Sequence, residues 1–221
     1  MNIIISQRIC YDKHGQKVEK LEQSYTEYFS SFGINLFPIS NFNNNINNYL
    51  KQFIIHGCIL YGGGDVNHKY FTSSNLNIEY FHERDNTETI IIDKMITEHK
   101  PILGICYGMQ KLNTFFGGKI SSNVNNNCAV YRAPNENHLI EITKAIYDIK
   151  NKYIVNHFHN NGIKLNQIAD SFTIFAKDTD CNLVEGMIHN QLPIIGLQCH
   201  PERDSPNNEI NEKIIKGLFN L

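Results

Sequence analysis

The sequence predicts an α/β fold: a mostly parallel central sheet flanked by helices, with a smaller antiparallel extension, in one domain spanning 1–221. Three observations carry that expectation. In the first half, short β-branched apolar runs alternate with longer helical patterns, as βαβ units do. In the second half the apolar runs are shorter and closer together, which suits mixed or antiparallel pairing. The 221 residues, 41% of them hydrophobic, suffice for one substantial core, and no repeat or linker divides them.

Ile3 to Ser6 reads as the first strand, Val18 to Phe32 as a helix stopped by Gly33, Ile34 to Ile39 as a second strand and Ile54 to Tyr61 as a third. Asp85, followed three residues later by Glu88, resembles a capping box that opens a helix running to about His99, before Pro101. Ile102 to Ile105 is then a buried central strand. Further strands are expected near Leu139–Ile142, Tyr153–Val155, Phe172–Ala176, Leu183–His189 and Ile194–Cys199, and a closing amphipathic helix from about Asn207 to Phe219. The runs Asn43-Asn44-Asn45 and Asn125-Asn126-Asn127 belong in surface loops.

Charge excludes some partners. The formal net charge is −2 and the 20 Lys and Arg are dispersed, so neither nucleic acid nor an anionic membrane is an expected partner. Without a basic leader or a long apolar run, a cytoplasmic location is expected. Six cysteines (Cys10, Cys58, Cys106, Cys128, Cys181, Cys199) show no CxxC or metal-finger spacing and are expected to be free thiols.

Chemistry enters at Gly104-Ile105-Cys106-Tyr107-Gly108, where an apolar strand gives way to the helical Met109-Gln110-Lys111-Leu112 pattern. A nucleophile on such a strand-to-helix turn is held in a strained conformation, and flanking glycines relieve the crowding. The helix N-terminus favours a thiolate, and its N–H groups, led by that of Tyr107, can hold an oxyanion. Alone, the pattern also fits a buried structural cysteine. Met109 and Phe115-Phe116 read as the buried face of the helix.

Gln198-Cys199-His200-Pro201-Glu202 follows another strand-like run, Pro193 to Leu197. With Pro201 keeping the segment extended, His200 and Glu202 project to one side, so the carboxylate can orient an imidazole that faces a thiol. Tyr61-Gly62-Gly63-Gly64-Asp65 supplies a third signal, a glycine turn able to aim a backbone N–H at a reacting carbonyl.

Taken in order, Gly-Gly-Gly-Asp, Gly-Ile-Cys-Tyr-Gly-Met-Gln, Phe-Gly-Gly and Gln-Cys-His-Pro-Glu resemble the class I glutamine amidotransferase superfamily over nearly the whole chain. Asp65 stands where ammonia-donating members carry Pro, and Glu83-Arg84-Asp85-Asn86-Thr87-Glu88 and Val155-Asn156-His157-Phe158-His159 are similar to the γ-glutamyl hydrolase branch. The resemblance implies a flavodoxin-like fold and a hydrolase that cleaves γ-glutamyl amides. It implies Cys106 as nucleophile, His200 as base, Glu202 as its partner, and Gly64 and Tyr107 as oxyanion donors. Gly63, Gln110 and His159 would contact the γ-glutamyl group, and Arg84, Lys69 or nearby Asn residues the leaving half. Cys199 replaces a usual Trp, His157 a Ser, and Asn160-Asn161 a His-Gln pair, departures that surround the pocket and bear on substrate identity.

A small γ-glutamyl molecule is the expected substrate, no cofactor is called for, and a homodimer is left open. The rival reading is a glutaminase subunit supplying ammonia to a synthetase partner. His157-x-His159 has no third ligand spaced to complete a metal site, so no metal is expected. The loop from Asn67 to Glu83, with Lys152 and Asn156, sits where a pocket rim is expected.

Overall fold

Alternation along the first strand sets the layers of the fold. In the computed structural model, which describes residues 1–42, 45–73, 76–124 and 135–221, β1 (Asn2–Ser6) turns Ile3 and Ile5 to one side and Ile4 to the other. On the first side Tyr25 and Phe29 of α1 (Gln23–Ser30) and Ile214 and Leu218 of α5 (Asn208–Phe219) cover the sheet. On the second side lie Leu50 of α2 (Ile46–Lys51), Ile91 and Met95 of α3 (His82–Thr97), and Leu112 of α4 (Tyr107–Phe115).

Among the described residues the sheet has nine strands. Parallel pairing joins β4 (Asn35–Ile39), β1, β5 (Gly57–Leu60), β6 (Ile102–Ile105) and β11 (Ile194–Leu197) in that order. Antiparallel pairing continues it through β10 (Val184–His189), β9 (Phe172–Asp178), β7 (Asn137–Ile142) and β8 (Lys152–Asn156). Leu60 is in register with Gly104, and Leu197 with Ile105, so the carboxyl ends of β5, β6 and β11 finish side by side. Ligand sites in open α/β sheets form at such an edge.

Several elements differ from the sequence reading. The first part of the expected Val18–Phe32 helix is strand β3 (Lys17–Lys20), paired antiparallel with β2 (Arg8–Tyr11) so that Val18 faces Cys10. The turn between them is set by Asp12, whose Oδ1 accepts the N–H groups of His14 and Gln16 at 2.8 Å. Helix α2 was not expected. The third strand begins at Gly57 and leaves Ile54 78% exposed.

Asp85 is not a cap, since α3 starts at His82 with Phe81 before it. Asp85 instead accepts from Lys111 Nζ at 2.6 Å, and Glu88 is fully buried. Cys10, Cys58, Cys106 and Cys199 are free thiols, but Cys181 is disulfide-bonded, correcting the expectation that all six are free. Spacing in sequence does not report proximity in space. Cys128 lies outside the described residues, as do Asn43-Asn44 and Asn125 to Asn127. Among the described residues no helix is long and apolar enough to cross a membrane.

Candidate active site

Strand β6 ends at Ile105 and the chain turns sharply into α4 through Cys106, at φ 53° and ψ −104°. That left-handed conformation costs a non-glycine residue about 1–3 kcal/mol. Close packing enforces it: a Cβ on Gly108 would lie 2.3 Å from the Leu60 carbonyl oxygen, and one on Gly104 2.6 Å from the Gly108 backbone. The Cys106 N–H donates to Leu197 O at 2.7 Å, tying the turn to the end of β11. The first helical bond in α4 is Gln110 N–H to Cys106 O, at 3.2 Å, so the earlier N–H groups have no acceptor within the helix.

Just past β11, Gln198 Nε2 lies 3.6 Å from Cys106 Sγ, and His200 Nδ1 donates to Glu202 Oε1 at 2.6 Å. This last contact is made through a turn and not the extended segment expected from Pro201. Arg203 N–H donates to His200 O at 3.2 Å, with Pro201 in the second turn position, which its ring favours. His200 and Glu202 are both buried. Burial alone would lower the imidazolium, but the Cys106 thiolate and Glu202 carboxylate outweigh it and raise His200 to about 10. Burial pushes the Cys58 and Cys199 thiols upward, away from reactivity.

The glycine turn after β5 closes the other side. Gly63 and Gly64 have φ 75° and 79°, conformations that cost glycine little. A Cβ on Gly62 would come within 2.8 Å of His200 Cε1. Beneath the turn lies Arg84, 3% exposed, which donates to Gly63 O at 2.5 Å, to Tyr61 O, and to Glu88 Oε1 at 2.9 Å. Its guanidinium lies 3.9 Å from the Tyr107 ring centroid, while Tyr107 Oη donates to Glu88 Oε2 at 2.9 Å and Ser6 Oγ to Glu88 Oε1 at 2.8 Å. Arg84 therefore holds the turn from below instead of facing a leaving group. Lys69, on a short turn at His68–Tyr70, lies over Tyr70 and outside the cleft.

Two cavities meet at Cys106, Gly63, Arg8 and Phe158. The larger, about 370 Å³, is lined by Gly64, Tyr107, Gln110 and His159, so these expected site residues share one wall with the nucleophile. Gln110 Nε2 donates to Asn161 O at 3.0 Å and to Gln198 Oε1 at 3.3 Å. Asp65 Oδ1 accepts from Asn161 Nδ2 at 2.6 Å and its Oδ2 from Glu79 N–H at 2.8 Å, joining the 76–81 segment to the floor. Burial raises the Asp65 carboxyl, partly offset by the hydrogen bond it accepts from the Glu79 N–H. His159 is held well below the usual imidazole range by burial and by the neighbouring His157 and His138 rings.

The smaller cavity, about 220 Å³, lies between His200, Tyr25, Arg8 and Arg203. Arg203 stacks 4.4 Å over Phe158 and pairs with Glu22 at 3.0 Å; Arg8 pairs with Glu79 at 2.5 Å. Sequence reasoning missed both arginines, which sit in no motif, although Arg203 directly follows Glu202. It also gave Asn156 only a rim position, whereas Asn156 bonds the backbone of His200.

A cysteine on a strained elbow, a carboxylate-oriented histidine at the next strand end and a glycine turn opposite define a hydrolase acting on amide C–N bonds. The chain belongs to the Peptidase C26 family, whose pattern it matches over residues 4–202. Along 100% of its length it is 31% identical, over 223 aligned residues, to the γ-glutamyl-CDP-amidate hydrolase of Campylobacter jejuni, covering 98% of that protein. It is also 27% identical over 217 residues to a glutamine amidotransferase-like protein of Lactococcus lactis, covering 92% of this chain and 89% of that one. Its fold is shared with a GMP synthase-type protein of Thermoplasma acidophilum, with a TM-score of 0.67 at 19% identity and coverage of 100% and 92%.

Proposed function

We propose that the chain cleaves a γ-glutamyl amide through a glutamyl thioester on Cys106, releasing L-glutamate, and that its substrate is γ-glutamyl-CDP-amidate, which would yield cytidine diphosphoramidate. The observation that carries the reading is the strained Cys106 beside a His200 raised to about 10, with Glu202 bound to its far nitrogen. His200 is the group that receives the Cys106 proton as the thiol becomes the nucleophile. The thiolate attacks the γ-carbonyl carbon while the N–H groups of Gly64 and Tyr107 receive the oxyanion. His200 then gives its proton to the departing nitrogen, and the thioester remains. A water that loses its proton to His200 attacks the thioester, expelling glutamate and restoring the pair.

The larger cavity suits the glutamyl group, and the smaller one the leaving half. A diphosphate leaving group would meet Arg8 and Arg203 there, in place of Arg84 or Lys69. The relative from Campylobacter jejuni, matched end to end, supports this substrate. The test is glutamate release by the purified chain alone from L-glutamine, γ-glutamyl amines, γ-glutamyl peptides and γ-glutamyl-CDP-amidate, with Cys106→Ala as control. Turnover dependent on Cys106 and greatest on the CDP-amidate is expected. Turnover of glutamine alone, or only after a synthetase is added, would replace this reading with an ammonia-supplying subunit.

A further inference from the structure

Cys106 and Gln198 each follow the last residue of a strand, and the two strands, β6 and β11, are parallel neighbours. Leu197 is in register with Ile105, and the Cys106 N–H donates to Leu197 O at 2.7 Å, so the residue after Leu197 comes to lie beside the nucleophile. Gln198 is 0% exposed, and the reaction above gives its side chain no part. Its Nε2 lies 3.6 Å from Cys106 Sγ, a hydrogen-bonding distance for an atom as large as sulfur.

The direction of that amide is fixed from its other end. The Asn161 main-chain carbonyl can only accept, so Gln110, whose Nε2 lies 3.0 Å away, turns its NH₂ group toward it. The same Nε2 lies 3.3 Å from Gln198 Oε1, which leaves Gln198 Nε2 for the sulfur. Gln110 follows Cys106 by one helical turn, with its N–H bonded to Cys106 O, so the three side chains close a ring at the base of the elbow. Asn161 is in turn tied to the glycine turn, its Nδ2 donating to Asp65 Oδ1 at 2.6 Å.

An N–H donor meets the two states of Cys106 differently. A thiol is a weak acceptor, whereas a thiolate takes a charge-assisted bond, about twice as strong as a neutral one. Donation to the charged form favours that form. Because Gln198 is shut off from water, the bond it makes to the sulfur does not compete with one to solvent. We infer that Gln198 is a catalytic residue that donates to the Cys106 sulfur and stabilises it as it becomes the nucleophile, with Gln110 the positioning residue that aims the amide. The inference rests on the reading of Cys106 as nucleophile. It divides the work at the sulfur: His200 takes the proton, and Gln198 holds the atom that has lost it. Gln110 also lines the glutamyl cavity, so the wall that meets the substrate is the wall that sets the donor.

The test is the rate of Cys106 alkylation by iodoacetamide against pH, read by mass spectrometry of the peptide carrying Cys106, in the wild-type chain, Gln198→Leu and Gln198→Glu. In Gln198→Leu the curve should move to higher pH by about one pH unit, slowing alkylation about 10-fold on its rising limb, with the alkaline plateau unchanged. Gln198→Glu, which sets an acceptor against the sulfur, should move the curve further. A residue that only packed the site would change the plateau through access and leave the midpoint in place. A midpoint unmoved in both folded variants would overturn the inference. Should neither variant fold, the side-chain NH₂ resonances of Gln198 in the wild-type chain decide: they should shift over the pH range of the alkylation curve and lose that shift in Cys106→Ala. Resonances indifferent to Cys106 would overturn it too. Alkylation uses no γ-glutamyl substrate, so an unmoved midpoint counts against this inference alone, whereas absent glutamate release beside the expected alkylation curves counts against the proposed function.

Discussion

Asn156 holds both polar backbone groups of His200: its Oδ1 accepts the His200 N–H at 2.9 Å, and its Nδ2 donates to the His200 carbonyl at 2.8 Å. The same Nδ2 lies 3.3 Å from the carbonyls of Arg203 and Asp204, so one amide spans the turn that presents base and orienter. Asn156→Ala leaves those buried groups without partners, at a cost of about 1–3 kcal/mol, and lets the imidazole drift from Cys106. Urea unfolding should show that loss, and kcat for glutamate release should fall by about 10- to 100-fold, the order expected when a positioning contact is lost.

Glu202 controls the pH range of the pair. His200, normally near 6.5, is raised to about 10 in the folded chain. Its contribution to stability is therefore complete below about pH 6.5 and lost as pH rises through about 10. Glu202→Gln removes an anion that favours the imidazolium, so His200 falls, and the alkaline limb of kcat/KM should move to lower pH by about 1–3 pH units. Some turnover should survive, because the thiolate and oxyanion donors remain. An alkaline limb unmoved by Glu202→Gln would deny the carboxylate its role. Titrating the His200 ring by NMR in Cys106→Ala should show a fall too, since the thiolate is the largest influence raising it.

The parallel core was legible because its strands are short, mostly apolar runs, with Gly62 soon after β5 and a helix start directly after β6. The elbow, the His-Pro-Glu segment and the glycine turn were legible because each needs a fixed local conformation. What stayed hidden depends on partners remote in sequence. Arg84 looked like a surface cation available to substrate until Tyr61, Gly63 and Glu88 were seen to enclose it. Val18 carries a helical pattern but is claimed by Cys10 across a short turn built on Asp12 and Gly15. Gln198 and Cys106 lie in separate motifs, and neither motif reports that the two side chains meet.

The enclosed Arg84 makes Glu88 a vulnerable residue. Glu88 accepts from Ser6, Arg84 and Tyr107 with side-chain exposure of 0%, and among the described residues it is the anion paired with the guanidinium under the glycine turn. Glu88→Gln leaves that cation uncompensated and should cost about 3–5 kcal/mol, whereas Tyr107→Phe removes one hydrogen bond and should cost about 1–3 kcal/mol. Chemical denaturation of both variants checks the order. Combining them should give less than the sum, because the two side chains are the two ends of one hydrogen bond. Equal losses from the single variants would mean that the charge of Glu88 contributes nothing to holding Arg84.

The arginines of the smaller cavity offer a test of substrate class. Arg203 is about half-buried over Phe158, and Arg8 reaches in beside Gly63, where a Cβ would lie 2.9 Å from its Nη1. Each is already paired, Arg203 with Glu22 and Arg8 with Glu79, so an anionic leaving group would displace or share those carboxylates. A charge-assisted hydrogen bond contributes about 1.5–3 kcal/mol, or about 10- to 150-fold. Arg8→Ala and Arg203→Ala should therefore lower kcat/KM for γ-glutamyl-CDP-amidate by roughly that factor each. A γ-glutamyl amine, with no anionic leaving group, should respond much less to Arg8→Ala. Equal losses on both substrates would place Arg8 in the scaffold and remove the argument for an anionic leaving half.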